Sequence, residues 1–441
     1  MIRFRRRAAL SALFSTTAFF VPTASVVGQG ATGTQNEPAQ ATAGGWQFMQ
    51  DGIVFAEFNR QGGPRGGKEL AVPNWWMGMA ARSAGKGMVT FTGMFSLEPA
   101  TLRKDGYREI FQAGEMFDGA PLIDHQHPHD FFAQLAAIWR IPIAGKTGLT
   151  IAGGPAGEPA LGPVAFMHRP SASENPFAPL SHHVFDSTHI SFGVVTAAVD
   201  HGPWTVEGSV FNGREPDENR WNFDFGALDS VSGRVWFRPT NRWEFQVSTG
   251  HLKNPEQLEP GNIQRTTASG AWFNRDGDDY TAVTVAYGMN AADNGRRHAA
   301  LAEVTKHFGL NSLYARTEVL QVETAVLQTC CAIVPLGGVS LPPTCPSAVH
   351  CVGGGQTDPG RLDTVGAFTF GGVRDVLRRR GFEGGFGGGI TFYAVPNLLK
   401  ATHGEQPVSF QLFFRLRPPV TEGMGRMWNM RMSQPMAGHI H

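Results

Sequence analysis

The sequence predicts an all-β protein, a transmembrane antiparallel up-and-down β-barrel of about sixteen strands. Three observations predict it: a period of two in apolar residues, alternating long and short connections, and an N-terminal export segment. Only 17% of the 441 residues are charged, 55 are Gly, and the formal net charge is +0. This composition suits neither a disordered chain nor a helical enzyme. The balanced charge provides no basic surface for nucleic acid, so we expect no nucleic-acid partner.

The N-terminus has the composition of an export signal. Four arginines lie between Arg3 and Arg7, and an apolar run follows at 8–21. That run is too short for a comfortable membrane helix and is followed by small residues, so 1–28 is predicted to be a cleaved signal peptide. The alternative is an N-terminal anchor helix. Residues 29–45 are rich in Gly, Ala, Thr, Gln and Pro and predict a flexible periplasmic arm.

Alternation of apolar and polar residues is the dominant pattern along the chain. In the last predicted strand, for example, Phe410, Leu412 and Phe414 alternate with Gln411 and Arg415. A period of two indicates strands with one apolar and one polar face. The pattern predicts sixteen strands, at 51–59, 74–82, 87–97, 130–140, 147–154, 189–199, 203–212, 231–238, 242–250, 266–274, 279–288, 297–307, 311–322, 362–372, 384–394 and 407–417.

The connections between these segments alternate in length. Those after odd-numbered strands are long, at 60–73, 98–129, 155–188, 213–230, 251–265, 323–361 and 395–406, with 289–296 the shortest. Those after even-numbered strands are tight, at 83–86, 141–146, 200–202, 239–241, 275–278 and 308–310, with 373–383 as an exception. Long external loops and short periplasmic turns are typical of outer-membrane barrels.

Closure of the sheet follows from its surroundings. Hydrocarbon cannot satisfy the free edge of a strand, so a sheet in a membrane must close on itself. The alternative is one or several soluble β-sandwiches, whose strands would alternate in the same way. A sandwich does not explain the regular long and short connections.

The export segment, the sixteen strands and the aromatic last strand at 410–416 resemble the porin-like outer-membrane barrels of Gram-negative bacteria. The resemblance spans about 46–417 and implies a barrel there, surrounded by outer-membrane lipid and passing small solutes. It also allows a homotrimer. Barrels of this class often end on an aromatic residue that the assembly machinery reads, whereas this chain continues to His441.

One loop concentrates metal-binding side chains just before the fourth predicted strand. Imidazole and carboxylate together suit Zn, Cu, Ni or Fe, so Cu or Zn is the expected ion. The next long loop is also rich in His, and neighbouring loops meet at the mouth of a barrel. The alternative is that these groups only cap and hydrogen-bond a Pro-containing turn. The predicted ligands are Asp124, His125, His127, His129 and Asp130, with His182 and His183 from the second loop, which also contains His168, Asp186 and His189.

The C-terminal segment 418–441 is rich in Met and His and is predicted to be a periplasmic tail. Thioether sulfur is a soft ligand, so a flexible segment with several Met is expected to bind Cu(I) in the micromolar range or tighter. The alternative is that the same Met side chains pack inside the lumen as a plug, or bind a partner. The predicted ligands are Met424, Met427, Met430, Met432, Met436, His439 and His441.

Four cysteines lie close together in the longest connection. An even number in an exported chain favours disulfides over free thiols or a metal site. The adjacent Cys330 and Cys331 are expected to bond outward to Cys345 and Cys351, in one of two pairings.

Two functions follow from these predictions. The first is a porin-like channel for small solutes, linked to copper or another transition metal. Predicted luminal charges of both signs, such as Arg234 and Glu303, argue against a strongly ion-selective pore. The second is a barrel enzyme or surface metal-binding module whose lumen is closed by the loops 98–129 and 155–188. No catalytic set and no Gly-x-Ser-x-Gly motif is present, so the first function is favoured.

Overall fold

The computed structural model describes residues 45–258, 261–328, 360–379, 381–418 and 430–433. The predicted signal peptide, most of the predicted arm and the four cysteines therefore lie outside the described residues. The same holds for Met424, Met427, Met436, His439 and His441. Within the described ranges, no helix has the length and apolar character needed to cross a membrane.

Strands dominate the described chain. They are β1 (Gln47–Gln61), β2 (Gly67–Ala71), β3 (Asn74–Ala84), β4 (Gly87–Phe95), β5 (Tyr107–Phe117), β6 (Ala120–Gln126), β7 (Phe132–Ala144), β8 (Thr147–Gly157), β9 (Ser191–His201), β10 (Trp204–Phe211), β11 (Ser230–Thr240), β12 (Trp243–Leu252), β13 (Ile263–Asp276), β14 (Asp279–Ala292), β15 (Gly295–Phe308), β16 (Asn311–Glu323), β17 (Leu362–Arg379), β18 (Phe382–Ala394) and β19 (Val408–Arg417). The helices are single turns: α1 (Glu98–Thr101), α2 (His182–Phe185), α3 (Thr324–Leu327) and α4 (Lys400–His403), with 3₁₀ turns at Phe166–His168, Ser187–His189 and Asn397–Leu399.

The main sheet is a closed antiparallel barrel. Each strand pairs with its neighbour in sequence, apart from the separate β5–β6 hairpin, and β1 closes the ring by pairing with β19. On its other side β1 pairs with β3 over its first half and with β2 over its second half. In the gap between β2 and β3, the amide of Phe55 on β1 donates to the carbonyl of Pro73 at 2.9 Å. Because β2 and β3 form one interrupted strand, the seventeen segments of this sheet make sixteen barrel strands. The predicted fold is confirmed.

The strands are longer than the segments that alternation predicted. Three of the predicted connections are therefore too long. The loop predicted at 60–73 shrinks to 62–66, because β2 precedes β3. The connections predicted at 289–296 and 373–383 are tight turns, between Ala292 and Gly295 and between Arg379 and Phe382. In all three places the ladder continues into water, where the outward side chains no longer need to be apolar, so the period of two fades before the strand ends.

The outward face of the barrel is apolar. Val206, Val235 and Val247 lie side by side on β10, β11 and β12 and are all exposed. Trp204 and Trp243 are exposed next to short turns, in the position of an interfacial aromatic girdle. Long apolar exposed surface on a closed barrel belongs in lipid, and barrels of this kind reside in the outer membrane. The predicted outer-membrane localisation follows from this surface.

We expect Val247→Arg to destabilise the barrel by about 2–4 kcal/mol, because a guanidinium would face hydrocarbon. The heat-dependent mobility shift on denaturing gels measures this, with Val247→Leu as a matched control that keeps the wild-type midpoint. An unchanged midpoint for the arginine variant would contradict the assignment of this face to lipid.

The inward face is polar and charged. Trp236 is 1% exposed and lies against three guanidinium groups, of Arg234, Arg238 and Arg431. The centre of its ring is 5.0, 4.9 and 4.8 Å from their respective Cζ atoms. Carboxylates of neighbouring strands pair with two of these arginines, Glu207 with Arg234 and Glu244 with Arg238, so the interior holds mixed signs as the sequence predicted.

The segment 158–190, here named the lumen loop, folds into the barrel and is almost entirely buried. Buried ion pairs hold it to the wall. Arg169 donates to Glu303 of β15 at 2.6 Å, and Glu174 accepts from Arg417 of β19 at 3.1 Å and also pairs with Arg415. A loop fixed by charges in this way narrows the lumen from within.

Candidate functional site

A cavity lies between the lumen loop and the wall formed by β1, β3 and β19. Its lining includes Arg417 at the end of β19, Trp75 of β3, and Glu98 and His129 from the connections that follow β4 and precede β7. Polar and apolar groups both face it, and Ala172 and Phe166 contribute from the lumen loop.

Three imidazoles meet where this cavity approaches the long-loop end. His129 precedes β7, His182 begins α2, and His189 ends the second 3₁₀ turn. The ring centres of His129 and His189 are 5.3 Å apart, and those of His182 and His189 are 5.1 Å apart. The ring of Phe166 packs beside all three. The structure thus brings the two His-rich loops together, as the sequence predicted.

Hydrogen bonds determine which nitrogen of each ring carries the proton. Nδ1 of His189 donates to the carbonyl of Asp186 at 2.8 Å, and Nδ1 of His182 donates to the carboxylate of Asp186 at 2.8 Å. Nδ1 of His129 donates to Glu98 Oε2, also at 2.8 Å. The three Nε2 atoms are buried and have no hydrogen-bond partner among the described residues. Neutral rings held this way turn three lone pairs toward the interior.

Burial favours the neutral ring at two of the three histidines. Burial lowers the pKa of His182 to about 4 and lowers the pKa of His189 well below its usual value. Burial also acts on His129, but the adjacent Glu98 carboxylate outweighs it and raises that pKa, which favours the charged ring. Although burial opposes ionisation, neighbouring His and Arg groups lower the pKa of Asp186, and His129 lowers that of Glu98. Both carboxylates are therefore charged at neutral pH.

The other ligands predicted in the first loop form structural contacts instead. Asp124 pairs with His403 at 3.0 Å and accepts the amide of Phe111 at 2.8 Å. The ring of His125 is 3.1 Å from the carbonyl of Ile123. These two residues lie on β6, and the β5–β6 hairpin gives them these partners in place of the three imidazoles. Alternation along one extended run predicted convergence because it did not foresee this hairpin.

His127 and Asp130 belong to a neighbouring charge cluster. Nε2 of His127 is 3.0 Å from Glu115, and Arg220 pairs with both Glu115 and Asp130. An arginine between two carboxylates already neutralises them, which leaves little for a cation to compensate. This cluster ties the β5–β6 hairpin to the 212–229 connection.

A third group contains two carboxylates that the sequence did not single out. His183, Glu215 and Glu256 have ligand atoms within 4.8 Å of one another, and His183 Nδ1 is 3.1 Å from Glu215. Burial raises the pKa of Glu256 to about 7 and that of Glu215 well above its usual value. Arg265 acts on both carboxylates and donates to the carbonyl of His183 at 2.6 Å. Nothing local in the sequence links these loops, so only the fold reveals the group.

The described part of the Met-rich tail lies inside the barrel. Met430 packs with Met77 and Met79 of β3, and Met432 packs with Leu161 and Phe211. For these residues the structure differs from the predicted periplasmic tail. The two thioethers sit in separate apolar clusters, because a flexible unbranched side chain fills irregular gaps in a packed lumen.

The comparisons with known proteins return solved barrels. No family model and no curated protein matches the chain. Among solved structures, the chain is similar to an anion-selective porin from Comamonas acidovorans at 10% identity, a TM-score of 0.49 and coverage of 85% of this chain and 100% of that one. It is also similar to Pseudomonas putida OprB at 8% identity, a TM-score of 0.48 and coverage of 85% and 94%.

Proposed function

We propose that this protein is an outer-membrane channel for small solutes rather than an enzyme. The observation that carries the proposal is the closed antiparallel barrel, whose interior is lined by polar and charged side chains around the lumen loop. A sixteen-stranded wall is wide enough to enclose an aqueous path even with a loop folded inside. Charges of both signs along the lumen favour passage without strong ion selectivity.

The test is conductance of the full chain in planar lipid bilayers. Ala172→Trp places an indole in the cavity and is expected to lower single-channel conductance by about twofold or more, because it narrows the path. Ala197→Trp is the matched control: it makes the same change on the exposed face of β9 and leaves conductance unchanged. A barrel that inserts but does not conduct would contradict the channel and favour the loop-plugged alternative.

Three other predictions from the sequence do not depend on the channel: copper binding by the tail, the disulfides and the homotrimer. Packing of Met430 and Met432 in the lumen supports the alternative in which the tail fills space, so copper binding by the tail stays a prediction. The disulfides stay a prediction as well. A homotrimer is also a prediction, which the mass of the detergent-solubilised complex tests.

A further inference from the structure

The structure assigns a transition-metal site to the imidazoles of His129, His182 and His189, bound through their Nε2 atoms. The ion is a divalent cation of the zinc or copper type. The inference does not rest on the channel: it concerns an ion bound beside the pathway.

The first step of the argument is the state of the free nitrogens. Each Nδ1 donates to an oxygen, of Glu98 or Asp186, which leaves each Nε2 as an acceptor. All three Nε2 atoms are buried without a partner among the described residues. An unsatisfied buried polar atom costs about 1–3 kcal/mol, and three such atoms on neighbouring rings are explained by a shared occupant that accepts lone pairs. A cation is such an occupant.

The second step is the hydrogen bond that each ring makes through its other nitrogen, Nδ1. Metal-binding imidazoles almost always donate their other N–H to a carboxylate or a carbonyl, which orients the ring and raises its basicity. Glu98 accepts the Nδ1–H hydrogen bond of His129. Asp186 accepts that of His182 through its carboxylate and that of His189 through its backbone carbonyl. Glu98 also supplies negative charge that offsets the charge of the ion, whereas the charge of Asp186 is already paired with Arg169. Asp186 is itself held by Arg169 at 2.9 Å and by the amide of Phe166 at 2.9 Å.

The third step is geometry. Two imidazoles on one tetrahedral ion with Zn–N bonds near 2.0–2.1 Å have ring centres about 5 Å apart. The observed separations of 5.3 and 5.1 Å match that spacing. The ring nitrogens of the three histidines do not all lie within 4.8 Å of one another, as the ligand atoms of His183, Glu215 and Glu256 do, so binding turns the Nε2 atoms toward one another by rotation of rings whose centres stay in place. The cavity lined by Glu98 and His129 gives the ion a route to the site.

The neighbouring carboxylate group is a weaker candidate. Arg265 faces both Glu215 and Glu256, and Arg297 also acts on Glu256. These guanidinium groups already compensate the carboxylates and repel a cation. The imidazole site has no arginine hydrogen-bonded to its rings among the described residues. Substitutions at the adjacent residues His182 and His183 therefore distinguish the two candidate metal sites in one experiment.

The experiment uses the full chain in detergent micelles, with Zn²⁺ alone as the probe and a chromophoric chelator as competitor. Three single substitutions are each expected to weaken the tightest Zn²⁺ site by at least about 100-fold: His182→Gln, His189→Gln and His129→Gln. This loss is larger than the one expected when only the hydrogen-bond partner of a metal ligand is removed. His183→Gln is the matched control, a buried histidine of the same turn, and is expected to retain wild-type affinity. Retained heat-modifiable gel mobility shows that each variant is folded.

Two outcomes overturn the assignment. If His183→Gln abolishes tight binding while His182→Gln does not, the ion belongs to Glu215 and Glu256. If no variant changes the affinity, the ion sits elsewhere. X-ray absorption of the wild-type protein with Zn²⁺ needs no variant: three imidazoles in the first shell support the site, and fewer refute it. Conductance does not enter these measurements, so failure here leaves the proposed channel untouched.

Discussion

Glu174→Gln is expected to release the lumen loop and to raise single-channel conductance by about twofold or more. Glu174 is fully buried and pairs with Arg415 and Arg417, which project inward from β19. Removing one partner of a buried ion pair costs about 3–5 kcal/mol, since the remaining charge stays buried. The substitution keeps the side-chain volume, so the effect reports charge. A lower midpoint of the heat-dependent gel shift measures the loss of stability.

The matched control is an ion pair on the surface. Asp229 pairs with Arg214 at 2.7 Å, with side chains 32% and 37% exposed. Exposed pairs contribute about 0–1 kcal/mol, so Asp229→Asn is expected to change neither midpoint nor conductance appreciably. Equal effects of the two substitutions would mean that the lumen loop is not held by its buried charges.

The barrel was predictable because its determinants are local. Alternation in segments such as 408–417 fixes which side chains face lipid, and turn residues such as Gly277 and Asp278 fix where the chain reverses. All sixteen predicted strands have counterparts. The missed elements are β2 and the β5–β6 hairpin. Strand β2 has only five residues, too few for a clear alternation, and the hairpin is a separate sheet outside the barrel wall.

The candidate site was predictable only in part. Two His-rich loops indicated a shared cluster, and the rings of His129 and His182 both lie beside that of His189. The sequence could not show that Asp124 on β6 would pair with His403, or that Glu98 would accept a hydrogen bond from His129, 31 residues later in the chain. Such partners are set by how loops pack inside the barrel, which no local pattern encodes.

Deletion of residues 419–441 is expected to raise conductance and to shift selectivity toward cations. In the described part of this tail, Ser433 donates to Glu207, and Arg431 lies 4.0 Å from Glu207 and 3.9 Å from Glu244. Removing the segment vacates part of the lumen and exposes both carboxylates. Reversal potentials under a salt gradient measure the selectivity.

Arg431→Met is the matched variant, because it removes the charge and keeps a side chain of similar length in the lumen. It is expected to shift selectivity toward cations while conductance changes little. If the truncated chain does not assemble, Met432→Ala in the full chain serves instead, since the loss of this buried side chain costs about 2–5 kcal/mol of packing and loosens the segment. Unchanged conductance and selectivity in all three variants would place the tail outside the conducting path.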